Sequence, residues 1–326
     1  MLELVPLDDD ALVDQAAELL SAAWRQPHRT GCVAAVSDPH VARGRIQATL
    51  SGLTVAAVQD KRLVGYLAAP APRPPGETVM IKAAMHATTV TNRRGIYREM
   101  YRHLAAQLTE IGGFTHTIAL DSNDPDTVNA WFELGFGVDQ VRGVQPVPAS
   151  HSPGVCELKA RAARLDDLPA MDELTVELTR FHAHSPMFRP ALSDQEGPHN
   201  GFIAGMADGR SLVVVTDLGD SIGGYLHLHP DRLLLDTVTI GIASVKLGIR
   251  HSGHGTAMLA YAMEWAARSG YRYCAVEWTS PNLTSDRFWR SRGFHPVQYK
   301  LTRRIDSRVA WANPSLSYQH LRPLDL

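Results

Sequence analysis

Residues 237–270 read TVTIGIASVKLGIRHSGHGTAMLAYAMEWAARSG. Thr237, Val238, Thr239, Ile240 and Ile242 have the branched side chains of a strand. Gly253 and Gly255 follow, directly ahead of good helix formers at 256–268, with Leu259, Met263 and Ala266 at helical spacing. A strand, a glycine turn and a helix start together make an anion site. Unpaired backbone N–H groups converge there, and the helix dipole favours negative charge. The glycines leave the main chain open to close approach, and Arg250 adds a fixed positive charge. A Walker loop is excluded, because His254 and Gly255 stand where it needs Lys and Ser/Thr after its last glycine. The dinucleotide fingerprint GxGxxG fails as well, with Met258 in place of its third glycine. What remains is Arg-x-x-Gly-x-Gly, with Val245 five residues ahead of the arginine. An ordinary glycine-containing helix cap is the plainer alternative.

The whole chain has 326 residues, about twice a usual domain, so two domains are expected. Its 32 basic and 34 acidic residues nearly balance, which argues against a dedicated nucleic-acid binder. Cys32, Cys156 and Cys274 stand far apart, so neither a disulfide scaffold nor a cysteine–zinc cluster is expected. No apolar run approaches the ~20 residues of a membrane span. The start, MLELVPLDDD, lacks the basic and apolar regions of a signal peptide. The expectation is a cytoplasmic protein that engages neither membrane nor nucleic acid.

The two halves repeat. Gly65-Tyr66-Leu67 matches Gly224-Tyr225-Leu226, Gly112 matches Gly270, and Trp131 with Gly135-Phe136 matches Trp289 with Gly293-Phe294, at a near-constant offset of about 158 residues. A Pro-rich stretch, QPVPASHSPG at 145–154, separates them. The expected division is a first domain over 1–148, a linker over 149–155, a second domain over 156–306 and an extension over 307–326. Each copy reads as an opening strand (2–5; 157–161), helices that start at acidic residues near Asp9 and Asp167, and a hairpin (54–58 with 63–68; 211–216 with 222–227). A further strand, a long helix, a strand (115–120; 273–278), a second helix and a closing strand complete it. The fold class is α/β, a mostly antiparallel mixed sheet flanked by helices in each copy.

Downstream of the glycine turn, residues 282–294 read NLTSDRFWRSRGF: an asparagine, a small residue, an aromatic pair and then Gly-Phe. With the Arg-x-x-Gly-x-Gly turn before it, this order resembles the GNAT superfamily of N-acetyltransferases over roughly 156–305. The resemblance implies acetyl-CoA, or another acyl-CoA, as the cofactor. Its diphosphate would lie against Arg250, His251, Ser252, Gly253, His254, Gly255 and Thr256. Asn282, Ser285, Phe288 and Trp289 would line the pantetheine arm. The fold also implies a bulged strand whose free main-chain groups, at Ala243, Val245 and Leu247, pair with the pantetheine amides; Gly241 suits such an irregularity. Tandem members with one degenerate half are a familiar arrangement. Here the first copy places Tyr97 at the Gly255 position and Asn92 at the Arg250 position, keeps Gly95, and offers Asn123 and Gly135-Phe136. It is expected to keep the fold without the cofactor site, and the arginines at 93, 94, 98 and 102 read as a solvated helix face.

Acyl transfer to an amine needs an uncharged nucleophile, while an alkylamine near pKa 10.4 is protonated at pH 7. The family's usual tyrosine acid is replaced by Trp289, which leaves Ser285 as a weak donor. Motif-strand positions Thr237, Thr239, Gly241 and Ala243 carry no carboxylate. The candidate base is Glu277, ahead of Asp236, His227 and His229; surface pairing of Glu277 with Arg272 or Arg287 is the competing reading. Tyr225, His227 and Trp278 are the expected acceptor-side residues, with the Pro- and His-rich segment 181–200 bordering that pocket. The pairs His182/His184 and His227/His229 lack a third ligand in sequence, so no metal is assigned. The function expected is an acyl-CoA-dependent N-acyltransferase acting on a small-molecule or peptide amine in a ternary complex. Its alternative is a non-catalytic acyl-CoA sensor or scaffold. A homodimer is left open, and Trp311 and Tyr318 of the tail suggest docking against the other domain or a partner subunit, a frayed end being the plainer alternative.

Overall fold

A computed structural model of the chain describes residues 1–25, 31–73, 77–148, 158–189, 196–309 and 313. The linker 149–155, Cys156, residues 190–195, Trp311 and Tyr318 lie outside the described residues. The chain divides into two compact units: Met1–Val141 together with the stretch from Pro296 onward, and Arg142–His295. This division differs from the chain-order boundaries 1–148 and 156–306. The last strand of the first copy runs on into the second unit, and the last strand of the chain returns to the first.

The first unit holds β1 (Glu3–Val5), α1 (Asp10–Trp24), α2 (Pro39–Gln47), β2 (Leu53–Gln59), β3 (Arg62–Ala69), β4 (Thr78–Ile81), β5 (His86–Thr88), α3 (Arg93–Glu110), β6 (Thr115–Asp121), α4 (Pro125–Glu133) and the start of β7 (Gly137–Pro146). Asp9 caps α1 by accepting the Ala11 N–H at 2.9 Å, and Val13, Ala16, Ala17 and Leu20 form its buried stripe. The β2–β3 hairpin turns on Asp60 and Lys61, both at positive φ (51° and 64°), as a two-residue turn of matching twist requires. Strands β1, β2, β3 and β5 form one sheet. In the other, β4 runs parallel to β6, while the closing strand of the chain pairs antiparallel with β6 from Gln298↔Asp121 to Arg304↔Thr115. Trp131, fully buried, packs edge-on to Tyr101 and Phe136 at the centre of this unit's core.

The second unit holds β8 (Ala160–Ala162), α5 (Leu168–His182), α6 (Glu196–Ala207), β9 (Leu212–Leu218), β10 (Ser221–Pro230), β11 (Thr237–Val245), α7 (His254–Arg268), β12 (Tyr273–Thr279) and α8 (Leu283–Ser291); β13 (His295–Arg304) is the closing strand described above. Strands β8 to β11 are antiparallel neighbours, β11 and β12 are parallel, and the second half of β7 lies beside β12. Met171 and Leu174 of α5 and Phe202 of α6 bury against Val213, Val215 and Tyr225.

Two irregularities in β11 prepare a site. Ile240 pairs with Leu228 and Ile242 with His227, so Gly241 is the extra residue of a β-bulge. Pairing with β12 runs from Thr237↔Tyr273 to Ile240↔Val276 and ends there. Beyond Ile240 the two parallel strands part.

Candidate active site

After β11 the chain makes one tight turn at Leu247–Ile249 and passes through His251 (φ 68°) and Gly253 (φ 98°) into α7. Gly253 occupies the N-cap position in the left-handed region, where a side chain would be strained. Ala257, Met258, Leu259, Ala262, Met263 and Ala266 sink one face of α7 into the unit. His254 is buried with its Nδ1 at 2.9 Å from Thr216 Oγ1, so its imidazole is turned inward.

The helix start opens into a pocket of about 680 Å³. Of the residues expected to hold a cofactor, Ala243 and Val245 of β11 line it, as do Arg250, His251 and Gly253 of the loop. So do His254, Gly255 and Thr256 of α7, and Asn282, Ser285, Phe288 and Trp289 around α8. Ser252 and Leu247 do not. The Ser252 hydroxyl turns back to the Ile249 carbonyl. Leu247 has its N–H on Glu177 Oε1, so the main-chain donor expected to be free there is taken by a carboxylate of α5. Asn282 caps α8 by accepting the Ser285 N–H at 3.1 Å. Trp289 is buried between Phe288 and Phe294, with ring centroids 4.8 and 5.3 Å away.

The pocket's charge is one-sided. Arg250, Arg287 and Arg292 line it, and no Asp or Glu does among the described residues. Arg292 Nη2 donates to Thr256 Oγ1 at 2.8 Å, which holds its guanidinium beside the first turn of α7. Arg250 stacks 4.0 Å over the Phe181 ring and donates through Nε to the Val245 carbonyl at 3.3 Å. Burial lowers its pKa, yet a guanidinium stays charged at any ordinary pH. Arginines next to open helix N–H groups are the donor set for a polyphosphate.

The residues expected on the acceptor side are placed elsewhere. Tyr225 is fully buried, its hydroxyl 2.8 Å from Thr175 Oγ1 and its ring against Phe202. Trp278 is buried and donates to Asp286 Oδ1 at 2.9 Å. His227 leans on Phe202, and burial lowers its pKa to about 4. None of the three lines the pocket. Glu277 pairs with Arg142 of β7, whose Nη1 donates to its Oε1 at 2.9 Å. Arg142 also pairs with Asp231 and donates to Thr239 Oγ1 at 3.2 Å. Sequence reasoning missed Arg142 because the linker reading assigned β7 to the other domain. It missed Leu178 and Arg292, put Phe181 only on the acceptor side with segment 181–200, and offered Arg287 only as a partner of Glu277, because these residues lie outside the two motifs or between their signature positions; three arginines within RFWRSR were the available signal.

The first unit carries the same layout filled in. Pairing of β4 with β6 ends at Ile81↔Ile118, and β5 turns to β3, so the strands part here too. His86 of β5 bridges this gap: Nε2 lies 2.9 Å from the Ala119 carbonyl and Nδ1 2.8 Å from the Tyr97 hydroxyl. A carbonyl only accepts, so Nε2 carries the proton, and Nδ1 accepts from Tyr97. Helix α3 begins three residues before the position matching His254, so helix replaces the glycine turn. The cap of α4 is Asp124, which accepts the Thr127 N–H at 3.1 Å at the offset of Asn282, and not the expected Asn123, whose side chain donates to Asp121. The neighbouring arginines are ion-paired, Arg93 to Asp124, Arg94 and Arg98 to Glu133, and Arg102 to Glu99.

Residues 171–294 match the model of the Acetyltransferase (GNAT) family. No curated protein sequence matches the chain. Among solved structures, a GCN5-related N-acetyltransferase from Sphaerobacter thermophilus shares the fold at a TM-score of 0.60 and 18% identity, over 93% of this chain and 95% of that one. A tandem GNAT protein from the clavulanic acid biosynthesis pathway does so at 0.56 and 17%, over 93% of this chain and 98% of the other. A GNAT-family acetyltransferase from Colwellia psychrerythraea aligns at 0.55 and 10%, over 94% and 100%. At these identities the likeness is one of fold, and that fold is the tandem one over nearly the whole chain. No described helix is long and apolar enough to cross a membrane.

Proposed function

Because residues 171–294 belong to the GNAT family of acetyltransferases, we propose that the second unit's pocket holds acetyl-CoA or another acyl-CoA, and that the protein moves the acyl group to the amine of a small molecule or peptide within a ternary complex. The observation that carries this reading is the pocket at the start of α7, lined by three arginines and by no carboxylate among the described residues. Main-chain N–H groups of His251 and of Gly253 to Thr256, with Arg250 and Arg292, would hold the diphosphate, while the Ser252 N–H is taken by the Ile249 carbonyl at 3.4 Å. The edge of β11 at Val245 and Ala243, left without a strand partner on the β12 side beyond Ile240, would take the pantetheine amides. Bound there, acyl-CoA supplies an acyl group activated as a thioester.

The chain's own part is to bind, orient and manage protons. An indole N–H is no proton donor to sulfur, so Trp289 shapes the wall. Ser285, whose N–H is fixed by Asn282, is the hydroxyl proposed to hydrogen-bond the departing sulfur. A thiol of pKa near 8.5 leaves as thiolate without full protonation. The first unit serves structure, its corresponding gap being filled by His86 and Tyr97. We place the reaction in the cytoplasm. Calorimetric titration with CoA tests the reading: one site per chain is expected, and no binding overturns it.

A further inference from the structure

Resting on that reading, we propose that the acceptor amine binds over Gly241 as an alkylammonium held by Glu277, and that Nε2 of His229 takes its proton. Gly241 is the bulge residue of β11, at the point where β11 and β12 part, and it is exposed. From the phosphate-binding turn, the open edge of β11 runs through Val245 and Ala243 toward Gly241, about 7 Å beyond Ala243 at strand spacing. The thioester end of a pantetheine laid on that edge therefore arrives at the bulge.

His229 stands over this glycine: a Cβ built there would lie 2.9 Å from His229 Nε2. Its other nitrogen, Nδ1, is 3.1 Å from the Pro230 carbonyl. Since a carbonyl only accepts, Nδ1 carries the hydrogen, and Nε2 presents its lone pair to the space above Gly241. The neighbouring His227 stacks edge-on at 5.9 Å, and its Nε2 is buried without a hydrogen-bond partner. The outer imidazole is thus the one in reach of a substrate.

Glu277 shares this face. Thr239 pairs in register with His229, so the two side chains emerge on one side of the sheet, and the Arg142 guanidinium that binds Thr239 also binds Glu277. Arg142 serves two carboxylates of unlike burial: Asp231 is 1% exposed and Glu277 29%. Arg142 thus carries one positive charge between two carboxylates, of which Glu277 is the more exposed and the one an ammonium would dock against. Arg142 acts as a positioning residue. In the transfer, the ammonium N–H bond breaks and its proton moves to His229 Nε2. The amine nitrogen then bonds to the acyl carbon, and the C–S bond breaks with its electron pair on sulfur. Of the two hydrogens then left on nitrogen, one is lost to solvent or to the thiolate and the other stays on the amide.

Bromoacetyl-CoA tests this without knowledge of the natural acceptor, because it carries an electrophilic carbon where the acyl group sits. The Nε2 lone pair forms an N–C bond as the C–Br bond breaks and bromide leaves, and the Nδ1 proton passes to solvent. Peptide mass mapping of wild-type protein is expected to find the adduct on His229, with labelling blocked by CoA. An adduct on another residue, or none although CoA binds, overturns the assignment of His229; failure of CoA to bind overturns the cofactor reading instead. Butylamine is expected to protect His229 and butanol is not, and the protection is expected to be lost in Glu277→Gln. Equal protection by butanol, or protection retained in Glu277→Gln, overturns the role of Glu277.

Discussion

Arg142 Nη1 donates to Glu277 Oε1 at 2.9 Å, tying β7 to β12 inside the second unit. The same guanidinium neutralises Asp231, whose side chain is almost wholly buried. Removing one partner of a buried pair strands the other charge, at a cost of about 3–5 kcal/mol. Arg142→Ala is therefore expected to lower the urea midpoint strongly. Glu277→Gln, at a partly exposed pair, is expected to cost under about 1 kcal/mol. Equal midpoints for the two variants would contradict this ranking.

Arg292 is held beside the first turn of α7 by its bond to Thr256. A hydrogen bond to a charged group contributes about 1.5–3 kcal/mol, so Arg292→Ala is expected to weaken CoA binding roughly 10- to 100-fold. Arg250→Ala is expected to weaken it as well, since Arg250 flanks the same turn. Both losses are expected to shrink as salt rises, because screening already weakens the wild-type contact. Calorimetry at two ionic strengths checks this; affinity unchanged in both variants would contradict it.

In the first unit, Tyr97→Phe removes the hydroxyl that His86 Nδ1 accepts from. Leaving a buried acceptor unpaired costs about 1–3 kcal/mol, which a thermal melt would read. Tyr97→Gly is not expected to create a second CoA site, because α3 begins where the glycine turn would have to be. Two CoA molecules bound per chain in that variant would contradict this account.

The turn at 250–256 was legible because it rests on local chemistry: glycine where the main chain must stay open, and apolar residues at helical spacing behind it; the capping role of Asn282 emerged only with the structure. The bulge was implied by the family resemblance, with which Gly241 is compatible. Tyr225 and Trp278 misled because a large aromatic with one polar atom suits a core as well as a cleft, and here Thr175 and Asp286 satisfy those atoms internally. Arg142 was beyond reach of local reading. Its role depends on β7 lying beside β12 rather than staying with the first unit, a long-range pairing that no spacing in 137–146 encodes.

Burial lowers the pKa values of His86, His116 and His227 to about 4, against about 6.5 in an unfolded chain. Between those values the unfolded state binds protons that the folded state declines, so stability rises with pH through the window. The contribution is complete above about 6.5 and is lost as pH falls toward 4. Urea midpoints are expected to drop between pH 7 and pH 5; a midpoint that held or rose would contradict the neutral burial of these imidazoles.

A crystal structure of the protein with acetyl-CoA tests the central claim most directly. The expected result is the diphosphate against the main-chain N–H groups of His251 and of Gly253 to Thr256, Arg250 and Arg292 at its oxygens, the pantetheine along Val245 and Ala243, and the acyl carbon above Gly241. Density for the ligand anywhere else, or an empty pocket at saturating acetyl-CoA, would contradict it.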